Sequence, residues 1–171
     1  MHFSLTPFHI KGLDDNGTFT GYASVFDVLD YHKDRISAKA FDKSLHKKTP
    51  KMLFQHDPLQ MIGKWNHISV DGYGLRVEGQ LILDLPKARE VYTLLTHGLI
   101  EDLSIGYVMK QCSIDQKTKE RTIHEAELVE ISLVTFGANP EAKILTVKDK
   151  TPKFPNILER LEKIIQKLTI Y

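Results

Sequence analysis

The chain reads as mainly β with flanking helices: an antiparallel sheet, barrel-like, with a helix or two on its outside. Three observations predict this. Most apolar residues fall in strand-length runs rich in Val, Ile, Thr, Tyr and Phe. Those runs are separated by Gly, Pro, Asp and Asn turn signals. Only two or three stretches show helical spacing, and no internal repeat or low-complexity tract interrupts the pattern.

The 171 residues fit one domain with a tail. We expect a barrel domain over residues 1–150 and a linker with an amphipathic helix over 151–171. A formal charge of +1 gives no reason to expect a nucleic-acid partner. The single cysteine, Cys112, excludes an internal disulfide and a Cys-based zinc cluster, and fits a reducing compartment. With no HExxH pattern and scattered histidines, neither a metal nor another cofactor is expected. No apolar run approaches the roughly 20 residues of a membrane helix. The opening Met1-His2-Phe3-Ser4 lacks a signal-peptide pattern, so no membrane association is expected.

Met1 to Leu13 reads as a first strand, and Asp14-Asp15-Asn16-Gly17 as its turn. Thr18 to Phe26 is the second strand. A polar loop, Asp27 to Arg35, follows. Ser37 is placed to cap a short helix carrying Ala38, Phe41 and Leu45. Lys51 to Pro58 reads as an apolar strand that stops at His56 and Asp57, leaving His56 at a sheet rim. Ile62–Val70 and Gly74–Leu83 form a hairpin around Asp71-Gly72-Tyr73-Gly74, with Trp65 packed on the sheet and His67 in solvent. Pro86 starts a helix that Gly98 ends, with His97 at its negative end. Leu103 to Ser113 is a strand, Asp115 to Glu120 a charged turn, and Arg121 to His124 the start of the partner strand. Glu127 to Phe136 is the most strand-like segment, and Ala142 to Val147 a last strand. In the tail, Asn156 and Glu159 form a capping-box variant ahead of an apolar stripe from Ile157 to Leu168.

Two strand faces carry chemistry. On the first, Ser104 and Gly106 share a side, a hydroxyl beside bare backbone where another chain can approach. A serine in a strand is by itself an ordinary residue. On the second, Glu130 shares a side with Ser132, Val134 and Phe136, an expensive place for a carboxylate without a partner. The plain alternative is an exposed glutamate near a strand end.

Five stretches, in order, resemble the prohead maturation proteases of tailed bacteriophages. They are Gly21-Tyr22-Ala23-Ser24-Val25-Phe26, Ala40-Phe41-Asp42-Lys43-Ser44-Leu45, Leu53-Phe54-Gln55-His56-Asp57, Leu103-Ser104-Ile105-Gly106-Tyr107 and Glu130-Ile131-Ser132-Leu133-Val134-Thr135-Phe136-Gly137-Ala138-Asn139-Pro140. The resemblance spans Thr18 to Ile144. That family in turn is similar to the herpesvirus assemblins, serine proteases built on an antiparallel β-barrel ringed by helices. The resemblance implies Ser104 as nucleophile, His56 as general base and Glu130 as third member. The alternatives for that third place are Asp57, Asp102 and, from the assemblin arrangement, His124. Gly137, Ala138 and Asn139 are candidates for the oxyanion site, and Gly106 for leaving substrate room. Assemblins carry two arginines after that glycine where this chain has Ala138 and Asn139.

The implied activity is a serine endopeptidase that trims scaffold and major capsid protein during procapsid maturation, and also itself. The implied setting is the interior of the assembling procapsid in the host cytoplasm, with a homo-oligomer, a dimer or higher, as the active form. The rival reading is a catalytically inactive barrel that binds scaffold or capsid protein, because a fold alone does not fix a function.

Overall fold

The computed structural model describes residues 16–146. The expected first strand, Met1 to Leu13, and the expected linker and C-terminal helix lie outside the described residues. Eight strands and two helices follow in the order β1 (Thr18–Val25), β2 (Asp34–Ile36), α1 (Asp42–Leu45), β3 (Lys51–Phe54), β4 (Asp57–Val70), β5 (Gly74–Leu81), α2 (Pro86–Thr96), β6 (Asp102–Ile114), β7 (Arg121–Val134) and β8 (Ile144–Thr146).

The strands form one sheet in the order β2-β7-β3-β4-β5-β1-β8, with β6 on the other side of β7. It is mostly antiparallel, as expected, and it curls. A bridge from Asp102 to Lys143 brings β6 back toward the segment that leads into β8. Two pairings are parallel, β2 and β3 each along β7. β7 is thus the spine: Arg121–His124 and Glu127–Phe136, read separately in the sequence, fall on one strand of 14 residues that ends at Val134. Its buried side chains include Ile123, Ala126, Leu128, Ile131 and Leu133.

The interior is filled by Phe19, Phe41, Met52, Ile62, Leu75 and Leu103 among others. Phe19 meets Trp65 edge-on, with ring centroids 5.7 Å apart. α2 buries Ala88, Val91 and Leu95. It ends at Thr96, with His97 as its C-cap and then Gly98, whose φ of +65° suits a residue without Cβ.

Three local expectations change. α1 has four residues, and Ser37 is not its cap. Ser37 and Ala40 are instead tied to β7 by Ser37 N–H to Ile123 O and Ala126 N–H to Ala40 O, which holds the stretch before α1 along the sheet. The loop from Asp27 contains the short strand β2. The strand at Lys51 ends at Phe54, and the chain turns over Gln55 and His56 straight into β4, with Pro58 in a register-shifted stretch of that strand.

Candidate active site

β6 and β7 pair so that Ser104 lies opposite Ser132, and Gly106 opposite Glu130. The two-residue period of a strand puts all four on one face of the sheet. Ser104 and Glu130 are 7% and 8% exposed, and Ser132 is fully buried. Gly106 makes room for the carboxylate: a Cβ on it would overlap Glu130 Oε1.

The imidazole arrives from the β3–β4 turn. Phe54 and Asp57 pair, and the two residues between them, Gln55 and His56, both have positive φ, +56° and +58°. That is the backbone pattern of a type I′ turn, here without the glycine or asparagine that usually fills it. Each such residue costs on the order of 1–3 kcal/mol and persists only where its surroundings hold it. Here β7 does so. Gln55 N–H donates to Leu133 O (3.0 Å), Gln55 Nε2 to Thr135 Oγ1 (2.6 Å) and His56 N–H to Ser132 Oγ (3.2 Å).

His56 Nδ1 lies 2.6 Å from Glu130 Oε1, and Ser132 donates its hydroxyl to Glu130 Oε2 at 2.6 Å. Both carboxylate oxygens are engaged, which is what makes a nearly buried charge tolerable. The Glu130 hydrogen bond raises the His56 pKa above its ordinary value, against partial burial, which lowers it. With Nδ1 held by the carboxylate, Nε2 is the nitrogen left to exchange a proton.

Ser104 and His56 both line one cavity of about 120 Å³, with Ala138 and Asn139 at its edge. The two are not hydrogen-bonded to each other. Such contacts are often long until substrate arrives. Gly137 does not fit the oxyanion role suggested for it: its N–H donates to Asp102 Oδ2 at 2.9 Å. Asp102 also pairs with Lys143, so this acid positions a loop and not the imidazole. Asp57, another proposed partner for His56, accepts instead from Leu59 N–H and Gln60 Nε2. His124 is exposed and paired with Ser113 Oγ. It stands six residues from Glu130 along β7, about 20 Å at strand rise.

Some participants gave no sequence signal as functional residues. Ser132 was visible only as a neighbour of Glu130 on one face. Asp34, inside the supposed polar loop, is 4% exposed, receives Arg121 Nε and Nη2 at 2.5 and 2.7 Å, and accepts from Tyr107 OH at 2.8 Å. Burial and that carboxylate together push the Tyr107 phenol well up. Ile105 and Tyr107, which flank Gly106, also line this cavity. Among the described residues no group of three or more His, Cys, Asp or Glu is arranged to hold a metal ion, and no helix is long and apolar enough to cross a membrane.

Residues 6–156 match the pattern of the family described as caudovirus prohead serine protease. The chain is 33% identical over 152 residues to the prohead protease of Enterobacteria phage HK97, covering 86% of this chain and 68% of that one. It is 28% identical over 143 residues to the prohead protease of Escherichia phage T5, covering 78% and 67%. Its fold is similar to that of the capsid assembly protease of bacteriophage T4, with a TM-score of 0.59 at 12% identity over 74% of this chain and 89% of that one. It is also similar to the KSHV protease solved with a hexapeptide phosphonate inhibitor, with a TM-score of 0.51 at 12% identity over 74% of this chain and 63% of that one. These two likenesses speak to the fold, an assemblin-like barrel.

Proposed function

We propose, from the premise that this chain belongs to the caudovirus prohead serine protease family, that its proteolysis runs through Ser104, His56 and Glu130. The observation that carries the reading is the 2.6 Å contact between His56 Nδ1 and Glu130 Oε1 beside a cavity that Ser104 shares. A serine hydroxyl needs a base within reach. Ser104 Oγ attacks the scissile carbonyl carbon as its proton passes to His56 Nε2. Glu130 fixes the tautomer and stabilises the imidazolium. The oxyanion forms beside the Ala138-Asn139 backbone, where each amide donor is worth on the order of 3–4 kcal/mol to the transition state. His56 then gives its proton to the leaving amine, and water hydrolyses the acyl-enzyme with the same base.

The substrates are the scaffold, the major capsid protein and the protease itself, cut inside the assembling procapsid in the host cytoplasm. A homo-oligomer is the active form. Substrate adds as an extended segment beside the Ser104 strand. Co-expression with the cognate capsid protein tests this. The native chain shortens the capsid protein and Ser104→Ala does not. Equal shortening by both removes Ser104 from the mechanism.

A further inference from the structure

The cavity beside Ser104 has more in it than the three residues above require. Its wall includes Ser24, Asp30 and Asp34. Ser24 lies where β1 shifts register against β5. It is 1% exposed and belongs to the lining of this cavity, and its Oγ, itself buried, has no hydrogen-bond partner. Buried hydroxyls are nearly always paired, so an idle one at a substrate cavity points to a missing donor or acceptor.

Asp30 is the second sign. Its Oδ1 accepts the N–H groups of His32 and Asp34, each at 2.8 Å. No lysine or arginine among the described residues pairs with it. Burial, the largest effect on it, raises its pKa, as expected of a partly desolvated carboxylate without a cation. Asp34 differs: Arg121 neutralises it with two nitrogens, and Tyr107 adds a third donor. The cavity lining therefore includes a carboxylate with no lysine or arginine partner and a buried hydroxyl with no hydrogen bond. His32, on the same loop, also lines it and is exposed.

We propose that this cavity receives the side chain immediately before the scissile bond and selects a basic residue there, lysine above arginine, through Asp30 and Ser24. The proposal rests on Ser104 being the nucleophile. An ammonium offers three donors in a compact head: one meets Asp30, one meets Ser24, and the stem crosses the cavity. A guanidinium wants two parallel acceptors from one group, and Asp30 already has Oδ1 occupied. An acidic side chain would meet the Asp30 charge, and an apolar one would leave both groups unsatisfied. The chain's own sequence carries Lys148, Lys150 and Lys153 just after β8, so self-cleavage should leave fragments ending in lysine there.

The test uses the full chain and a set of quenched peptides that differ only before the cut, with Lys, Arg, Leu, Ala or Glu. Wild type should prefer Lys over Leu by about 10–100-fold in kcat/KM, the size of one lost charged hydrogen bond. Asp30→Asn keeps the acceptor for the two loop amides and removes the charge. It should collapse the Lys-to-Leu ratio by most of that factor, and Ser24→Ala should lower it less. A wild-type profile without basic preference overturns the proposal whatever the variants do, as does an unchanged ratio in Asp30→Asn. Cleavage by Ser104→Ala is a separate outcome: it removes the catalytic reading beneath the proposal.

Discussion

Glu130 and Ser132 act as a pair. The sequence marked the glutamate as costly if buried, on an apolar strand face, but left open an exposed glutamate near a strand end; its burial at 8% exposure comes from the structure. Its partner's identity was legible only through the family resemblance, since nothing local says that a turn 74 residues away delivers His56. Ser132 carried no signature, because a serine in a strand looks the same whether or not it bonds a carboxylate. Yet its hydroxyl both donates to Glu130 and accepts from the His56 backbone. Ser132→Ala should therefore lower kcat by about 10–100-fold with little change in KM, since a small misplacement of catalytic groups costs that much. Ser132→Thr, which keeps the hydroxyl, should recover part of it. The pH profile follows from the same contacts. His56 must be neutral to take a proton, and Glu130 raises its pKa, so kcat/KM should rise with pH through a midpoint above the ordinary histidine value of 6.5. Glu130→Gln should move that midpoint to lower pH and cut kcat by as much as about ten-thousand-fold, as loss of the orienting acid does in other triads. For stability the sign is opposite: the pair's contribution is full below pH 6.5 and fades as pH rises through the raised value.

The β3–β4 turn explains what the segment around His56 hid. A two-residue hairpin turn is normally announced by Asn-Gly or Asp-Gly. Here Gln55-His56 occupies it in a left-handed conformation, so Lys51 to Pro58 read as one strand. The strain is tolerable because three hydrogen bonds tie the turn to β7 and to Thr135 just beyond it. β2 was hidden for another reason: three residues, Asp34–Ile36, are too few to show a period. By contrast, the β4–β5 turn and α2 lie where their turn, Pro86 and Gly98 signals put them, although β4 begins at Asp57 rather than Ile62. β6 yields a direct test. Gly106→Ala places a methyl against Glu130 Oε1. The barrel should still fold, by circular dichroism, while kcat/KM falls about 100-fold or more as the carboxylate leaves His56. Unchanged activity would show that the glycine's role lies elsewhere.

Across the molecule, the antiparallel barrel was legible from strand runs and turn signals, whereas the two parallel pairings on β7 were not. Those pairings depend on which distant strands meet, and no local period encodes that. They matter because β3 beside β7 brings His56 to Glu130, and β6 on β7's other side brings Ser104 to the same face. The site is therefore only as firm as the core beneath it. Phe19→Ala, at 0% exposure against Trp65, should cost about 3–5 kcal/mol in urea unfolding. Activity should survive a chelator unchanged, because the proposed chemistry is carried by side chains alone.

The most direct measurement is mass spectrometry of the folded chain after a fluorophosphonate, a reagent that labels serines activated by a neighbouring base. The account predicts one adduct, on Ser104, formed faster as pH rises and lost in His56→Ala. An adduct on a different residue, or Ser104 labelling that is indifferent to His56, would contradict it.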